Sequence, residues 1–446
     1  MGCIRAERAR DYRHTQPLRE APCVCAGSRG TSLEPWCGVR LMILVVIACL
    51  ALPARADVDL PNPLGADDVA TLARSRRSEI VAAKARARAA AQRPTIVSAL
   101  DEPTVSFSLD HVPLNLMGVD ANVTVEQAFP LSRIRGHRRR AAEAGLRREL
   151  ANADRVALDV ELDAQQAFWM LAQLRAAADI VNRQQALAKQ LEAAALARYS
   201  ANTGAQSDVL RAQTETARLT AEQRAFAAEI RAAEVMLNTT LARDPVAPIP
   251  ELDATVPDGD PPASDAVARS SVRRPELRAG RAEIEQAEAE VRVMRSMYAP
   301  MAMVRTGPAY TMAEGEGWMV MVGLSIPLWR SKLRAGVAEA NAMVDMATAD
   351  LDAMRRMAEG QARSARESVF AARERYRALR DDVVPRAEQA IAPTLASYSA
   401  GQVPLVSVVE AAQALWAAQR DLVVARAELG MAWARLRRAA SEEVTP

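Results

Sequence analysis

The segment Ala197–Ala201 (ARYSA) returns later in the chain as Ala396–Ala400 (ASYSA), and this repetition decides the fold. The segments Arg76–Ile80 (RRSEI) and Arg273–Leu277 (RRPEL) repeat in the same order, at an offset near 197 residues. Solenoid proteins repeat every 20 to 50 residues or so, whereas a period this long indicates that one whole supersecondary unit is duplicated. The chain of 446 residues is therefore predicted to hold two copies of one unit.

A proline-rich segment separates the two copies. Six of the 24 prolines lie between residues 244 and 264, and such clusters are typical of linkers. We predict an N-terminal extension with a signal peptide at 1–56, a first repeat at 57–244, a linker at 245–264 and a second repeat at 265–446.

Each copy is predicted to run as a helix, two strands, a long helix, a tight turn and a further helix. The fold class is therefore mainly α with a small β part. Residues 132–198 contain no proline and are predicted to form one helix about 100 Å long, with apolar spacings of three and four that resemble a coiled coil. Shorter helices at 67–93 and 208–241 are predicted to lie end to end along it, so that the long hairpins span 132–241 and 329–440.

Two strand candidates precede each long helix, within about 103–129 and 300–327. Apolar and polar residues alternate in them, as in strands of about ten residues with one membrane-facing side. Four strands cannot close a transmembrane barrel, so three copies are expected to share a 12-stranded one. Trp318 and Trp329 are placed at opposite ends of the last strand, where interfacial aromatic residues belong.

The composition argues against several other classes of protein. Aromatic residues make up only 4% of the chain, which argues against a large β-sandwich. A formal net charge of +2 argues against a nucleic-acid partner, and the arginine clusters that follow the strands are assigned to lipid headgroups. After residue 56 the sequence has no phosphate-binding loop, metalloprotease motif or cysteine, so neither an enzyme nor a cofactor is predicted.

The N-terminal region has the pattern of an export signal. A short apolar run at 41–52 follows Arg40 and precedes the small residues at 54–56, so cleavage is expected before Asp57. All five cysteines lie in the first 49 residues, which makes the mature chain free of disulfides. Lipidation of Cys49 is the alternative, because the residues before it fit a lipoprotein cleavage box. No later segment reaches 18 consecutive apolar residues.

The duplicated unit on an exported chain resembles the TolC-type outer-membrane efflux proteins over residues 60–440. The most specific motifs are the turns at 199–210 and 398–409, which broadly fit the family's Tyr-x-x-Gly turn followed by a small or acidic residue and an apolar pair. The segment Val384–Glu388 (VPRAE) looks most like the branch that serves heavy-metal efflux pumps.

The resemblance implies a homotrimeric channel in the outer membrane of a Gram-negative bacterium, with a long α-helical tunnel through the periplasm below the barrel. It implies a periplasmic adaptor protein, an inner-membrane pump of the RND type and outer-membrane lipid as partners. The implied function is a passive export duct, with heavy-metal ions as one expected cargo. A periplasmic adaptor and a coiled-coil structural protein without a pore are the alternatives, but an adaptor should have one hairpin and glycine-rich β-domains.

The resemblance also places a periplasmic gate at the second turn. The family's closed state narrows the tunnel with acidic residues just after this turn, and the matching positions here are Ser407 and Glu410. Only Glu410 is acidic, so the trimer is expected to carry a single ring of three carboxylates that favours cations. The alternative is that Glu410 is an ordinary solvated residue. Tyr398 either joins neighbouring hairpins or packs within its own.

The hairpin tips are the expected adaptor-docking sites. The six tip residues are Tyr199, Asn202, Gly204, Asp208, Gly401 and Pro404. We expect left-handed backbone at Gly401 and at the matching Asn202, extra slack from Gly204, and Pro404 at the first position of the next helix. Asp208 is interpreted as an acid at a helix N-terminus, with a gating role as the alternative.

Five residues of the second strand pair are predicted to face the lumen: Met301, Met303, Arg305, Met319 and Met321. A charged arginine should point into water, and strand alternation places both methionine pairs on its side. Thioethers suit Cu(I) or Ag(I), although methionine also simply fills gaps in packing. No histidine or cysteine cluster predicts a firm metal site.

Overall fold

The computed structural model describes residues 60–110, 119–311 and 313–441, all within one compact unit, Val58–Pro446. The predicted signal peptide and Cys49 lie outside the described residues. The chain is mostly helical with two small sheets, as the sequence predicts.

The first repeat contains seven elements. They are β1 (Leu64–Gly65), α1 (Ala66–Arg76), α2 (Ser78–Ser98), β2 (Thr104–Asp110), β3 (Asp120–Pro130), α3 (Ile134–Ser200) and α4 (Gln206–Thr240). Helix α3 has 67 residues, the predicted length, and begins two residues later than predicted.

The second repeat follows the same order. Together with β4 (Leu252–Asp253), which lies in the predicted linker, its elements are α5 (Ser264–Ser271), α6 (Pro275–Ser296), β5 (Met301–Thr311), β6 (Gly315–Ser325), α7 (Arg330–Ala378), α8 (Val384–Ser399) and α9 (Leu405–Ala440). A π-helical turn at Leu379–Val383 joins α7 to α8. It ends two residues before Pro385, which has no N–H with which to continue regular helical hydrogen bonding.

The first helix of each repeat is broken at the same place, so the prediction of one helix at 67–93 is wrong. Arg77 and Arg274 both have extended backbone, with ψ of 130° and 140°. In the second repeat Pro275 accounts for the break, since a residue before proline avoids helical backbone. In the first repeat Ser78 occupies that position and the break persists. There, the Arg77 Nε donates to Oε2 of Glu79 at 3.0 Å across the start of α2.

Helix α3 is the centre of the packing, because α1, α2, α4, α6 and α9 all contact it. Most of its predicted apolar seam is buried, namely Ala157, Val160, Ala164, Leu171, Leu174 and Val181. Leu237 and Leu241 at the end of α4 share a core cluster with Val69 and Ala73 of α1. The two shorter helical segments therefore meet end to end along α3, as predicted.

Close contact between α3 and α9 depends on a glycine. A β-carbon at Gly430 would lie 2.1 Å from Cε2 of Trp169, which is far too close for two carbon atoms. Trp169 is buried and stands edge-on to Phe168, with ring centroids 5.2 Å apart. Gly430 therefore makes the space that the indole ring fills.

The predicted linker is bound tightly to the helices. Its β4 pairs in parallel with β1, in the register Leu64↔Leu252. Asp258 accepts hydrogen bonds from Arg377 Nε at 2.7 Å and Arg380 Nη1 at 3.2 Å. The linker is thus a strap that fastens the second repeat's long helix beside the π-helical turn.

The four predicted strands form one antiparallel sheet in the order β2-β3-β5-β6. Pairing of β3 with β5 joins the two repeats. The register places the large exposed apolar side chains of one face together: Val105, Phe107, Leu109, Val123, Val125, Phe129, Tyr310, Trp318, Val320, Val322 and Leu324. We call this the apolar sheet face, and the opposite side the polar sheet face. Among the described helices, none combines the length and apolar character needed to cross a membrane.

One strand boundary differs from the prediction. Trp318 lies inside β6, and its Nε1 donates to Oγ1 of Thr306 at 2.7 Å. Trp329 lies beyond the end of β6, as the residue before α7, and is 77% exposed. The placement of the two tryptophans at opposite ends of one strand is therefore wrong for Trp329.

Gly430→Ala tests the packing of α9 on α3. Inside a helix this change normally raises the free energy of unfolding by about 0.5–1 kcal/mol. Here we expect it to fall by about 1–3 kcal/mol, because the added methyl group overlaps the ring of Trp169. Denaturant unfolding followed by circular dichroism measures the change.

Gly360→Ala is the matched control. Gly360 lies within α7, and no atom beyond the adjacent backbone of its own helix lies within 4 Å of the position that its β-carbon would take. It should leave stability unchanged or raise it. A loss of similar size in both variants would contradict the overlap argument.

Candidate functional site

The two hairpin tips have the same backbone conformation. The Thr203 N–H donates to the carbonyl of Arg198, and the Gln402 N–H donates to that of Ser397, each at 2.9 Å. The φ angles of Asn202 and Gly401 are 58° and 76°, so both expected left-handed residues are confirmed. Asparagine adopts this conformation more readily than most residues other than glycine, which explains how the first turn closes without one.

Arg198 joins the two tips. Its guanidinium donates to the backbone carbonyl of Tyr398 and, at 3.2 Å, to that of Thr203. The guanidinium carbon also lies 4.8 Å from the centre of the Tyr398 ring, which is a cation–π distance. One cation thus holds a carbonyl of its own turn, a carbonyl of the other turn and an aromatic ring.

Two expectations about the tips are wrong in detail. A β-carbon at Gly204 would lie 3.0 Å from Cβ of Arg198 and 3.1 Å from the Tyr199 nitrogen. Gly204 therefore permits a close approach to the last turn of α3, where slack was expected. Pro404 is the N-cap residue of α9, which begins one residue later at Leu405.

The two tip tyrosines have different environments. Tyr398 is only 2% exposed and packs in a cluster with Leu405 and Val408, whereas Tyr199 is 44% exposed. Burial raises the pKa of the Tyr398 phenol, and the negative charge of Asp208 raises it further, while Arg198 opposes the shift. Within the chain Tyr398 therefore packs, and Tyr199 is the tyrosine left for contacts with another molecule.

The acidic residues near the tips lie on early turns of their helices. Asp208 is in the first turn of α4, where a negative charge interacts favourably with the helix dipole. Ser407 is half-buried, and its N–H donates to the carbonyl of Pro404 at 3.2 Å. Glu410 is exposed directly after the buried Val408 and Val409. Its carboxylate is therefore accessible to solvent in the single chain.

The polar sheet face carries the five predicted lumen residues. Directly opposed residues of neighbouring strands share a face. Met321 is opposite Arg305 and Met319 is opposite Gly307, so both methionines of β6 lie on the face that carries Arg305. Met301 and Met303 of β5 lie on the same face as Arg305, because residues two positions apart in a strand share a face. Arg305 is not a lone charge, since its Nε donates to Oε2 of Glu126 at 2.8 Å.

Hydrogen bonds between side chains connect the other residues of this face. Ser106 and Thr124 share one at 2.9 Å, Ser108 donates to Asn122 at 2.8 Å, and Asn122 donates to Asp110 at 3.1 Å. In the part of the chain that the structure describes, no group of three or more His, Cys, Asp or Glu residues is placed to hold a metal ion.

Two residues of these sites, Arg198 and Glu126, were not predicted from the sequence. The signal for Arg198 lies in the repeat itself: ARYSA and ASYSA differ at one position, and the arginine occupies it. Its partner is 200 positions away, so no local pattern connects the two. Glu126 alternates correctly to the polar face, but only the β3–β5 register places it opposite Arg305.

Comparison with known proteins gives one family and one fold. Residues 267–442 match the family model described as "Outer membrane efflux protein", so the match falls in the second repeat. No curated protein sequence matches the chain.

Several solved outer-membrane proteins have a similar structure. The channel OprN has a TM-score of 0.74 at 18% identity, over 85% of this chain and 91% of that one. VceC from Vibrio cholerae gives 0.72 at 17%, over 85% and 97%. CusC, which is described as forming a transmembrane channel, gives 0.74 at 13%, over 84% and 91%. At these identities the likeness establishes the fold. That fold and the family match agree with the TolC-type class that the turn motifs resemble.

Arg198→Gln tests the link between the tips. We expect backbone amide exchange at 197–204 and 397–403 to become at least about tenfold faster, since a hydrogen bond to a charged group is worth about 1.5–3 kcal/mol. Hydrogen–deuterium exchange with mass spectrometry measures it. Arg211→Gln, an exposed arginine of α4, is the control and should leave both tips unchanged. Equal protection in all three proteins would rule out Arg198 as the link.

Proposed function

We propose that this protein is the outer-membrane duct of a tripartite efflux system, a passive channel that carries its cargo across the periplasm and the outer membrane. The observation that carries the proposal is the four-stranded sheet with one exposed apolar face and one hydrogen-bonded polar face. Such a sheet needs lipid on one side and water on the other. The family match of the second repeat and the fold of OprN, VceC and CusC support it.

The functional form is a homotrimer with a shared 12-stranded barrel. One chain supplies four strands, with β2 and β6 at the two edges of the sheet. Unpaired edges in lipid are costly, and pairing β6 of one copy with β2 of the next removes them. Three copies close the smallest ring that accommodates a wide lumen.

The periplasmic end is the gate. The tips are separated from the sheet by the length of α3, about 100 Å, so they lie at the far end of the duct. Three copies of Glu410 around the axis repel one another and attract cations. Ser407 lies one turn before Glu410, and Tyr398 packs beneath the turn. The tip surface around Tyr199, Asn202 and Asp208 serves as the docking site for a periplasmic adaptor protein that links the duct to an inner-membrane pump.

The two alternative functions fit the molecule less well. A periplasmic adaptor has one helical hairpin, whereas this chain has two, α3–α4 and α8–α9, with turns of the same geometry. A coiled-coil structural protein without a pore has no use for a sheet with an apolar and a polar face.

Heavy-metal ions are one cargo class consistent with the polar sheet face. Met301, Met303, Met319 and Met321 present soft thioether ligands there, and such ligands suit Cu(I) and Ag(I). The face supplies transient contacts along a path, which a duct needs more than a tight site.

Single-channel recording in planar bilayers tests the duct and the gate together. The purified mature protein should give a small cation-selective conductance. Glu410→Ala should raise the conductance and weaken cation selectivity, because it removes three charges from the narrowest point. The reversal potential in a salt gradient measures the selectivity.

Glu229→Ala, which removes an exposed carboxylate from the middle of α4, is the matched control and should behave as wild type. Trimers that insert in the bilayer but conduct in no variant would contradict the duct. A conductance that is the same in all three proteins would retain the duct and exclude Glu410 from the gate.

A further inference from the structure

Helix α3 carries a buried amide in the half that lies nearer the tips. The side chain of Gln184 is 1% exposed, and neither of its amide atoms has a hydrogen-bond partner among the described residues. Gln184 lies one turn from Val181 on one side and from Ala188 on the other, and both belong to an apolar cluster with Leu415 and Trp416 of α9. A buried amide without partners makes the packed state less stable relative to any state in which water reaches the amide.

The amide lies on the side of α3 that faces away from α4. Asn182 and Gln185 of α3 each form a hydrogen bond with α4, at 2.8 and 2.9 Å. At 100° per residue, these two residues lie about 160° and 100° around the helix axis from Gln184. Leu191 lies seven residues further along and so on nearly the same side, and it belongs to the cluster that contains Leu405 of α9. Gln184 is therefore buried between the two hairpins, α3–α4 and α8–α9.

The second repeat has an irregularity at the same level. Gln184 lies 16 residues before Ser200, where α3 ends, and the π-helical turn finishes 16 residues before Ser399, where α8 ends. Because both tips have the same geometry, the buried amide and the π-helical turn both lie about 24 Å from the tips. Each long helix thus has its weak point at this level, which we call the hinge level.

The strap holds both long helices on the side of the hinge level that faces away from the tips. Arg175 of α3 donates to two backbone carbonyls of the strap, at 2.7 and 3.1 Å, and lies nine residues before Gln184. Asp258 of the strap accepts from Arg377, two residues before the π-helical turn, and from Arg380 within it. The strap therefore fixes both helices up to the hinge level, and the segments between that level and the tips extend beyond it.

We propose that the two hairpins part at the hinge level: the strapped body stays fixed, the second hairpin swings from the π-helical turn, and the amide of Gln184 gains water as the hairpins separate. This inference rests on the proposed function, because the movement opens the proposed gate. The packed state carries the cost of the dry amide, so one side chain that touches neither the gate nor the tip surface sets how often the hairpins part. Helix α9 is continuous over Leu405–Ala440 and bends gradually, as long helices do.

Hydrogen–deuterium exchange on the purified mature protein in nanodiscs tests the hinge, with residues 157–171 as the reference in the body. Gln184→Leu replaces the amide with an apolar group of similar size, so exchange at 384–399 should slow at least about fivefold. Gln184→Glu keeps the shape and adds a carboxyl group that ionises once water reaches it, so exchange there should become at least about fivefold faster. Residues 157–171 should exchange alike in all three proteins.

Gln190→Leu is the matched control, because it makes the same change at an exposed position of α3 nearer the tip. It should exchange as wild type does. Equal slowing in Gln184→Leu and Gln190→Leu, or unchanged exchange in both Gln184 variants, would overturn the hinge. Changes of equal size at 157–171 would also overturn it, because Gln184 would then act on the stability of the whole body.

Single-channel recording separates this inference from the proposed duct. Gln184→Leu should open at least about fivefold less often, while the conductance of the open pore stays that of wild type, because the buried side chain does not line the pore. A protein with the expected exchange pattern that conducts in no variant would overturn the duct and keep the hinge as a movement of the hairpins. A conducting protein whose exchange and opening frequency are the same in wild type and both Gln184 variants would overturn the hinge and keep the duct.

Discussion

Every other helix of the first repeat, and two of the second, are held in place by contact with one 67-residue helix, α3. A helix surrounded on several sides cannot carry large side chains all round, because neighbouring axes must approach to about 8–10 Å. Alanine meets this constraint along most of α3, and glycine meets it once on the partner, where Gly430 of α9 admits the indole of Trp169. At that point α3 carries the large side chain of Trp169 and α9 carries no side chain at Gly430. This pairing fixes the register of α9 against α3.

The two repeats share the order of their elements and the hydrogen bonds of their tips, but they differ in the contacts that hold their long helices. Both repeats break their first helix at corresponding residues, Arg77 and Arg274, and both close their tips through the same hydrogen bonds. Among the described residues, a π-helical turn occurs in the second repeat alone. The strap binds both long helices, but by different residues: Arg175 of α3 donates to the carbonyls of Ile249 and Pro250, whereas Asp258 accepts from Arg377 and Arg380 beside the π-helical turn. In the second repeat the π-helical turn and the hydrogen bonds of Asp258 therefore lie at the same level along the long helix.

Elements with a long periodic pattern could be predicted, and contacts between distant residues could not. The helix α3, the four strands and the left-handed residues at both tips follow from periodicity, alternation and residue type, which act over a few positions. Arg198 reaches a carbonyl in the other repeat, and Gly204 is required by the turn before it; neither contact is encoded in spacing. The break at Arg77 also escaped prediction, because no proline marks it. Trp329 was misplaced since alternation does not indicate where a strand ends.

The distribution of contacts indicates where the proposed duct would open. The body is held by continuous apolar seams, and its separation would expose several large clusters together. At the tips, the hydrogen bonds of one guanidinium connect the two hairpins, together with an apolar cluster of eight buried residues, as many as in the cluster around Trp433 of α9. A hydrogen bond to a charged group contributes about 1.5–3 kcal/mol, so polar contacts of similar number with the proposed adaptor would offset those of Arg198, but not the apolar cluster beside them. In the proposed gate, opening would displace Arg198 from Tyr398 and separate this apolar cluster, while the alanine-packed body stays intact.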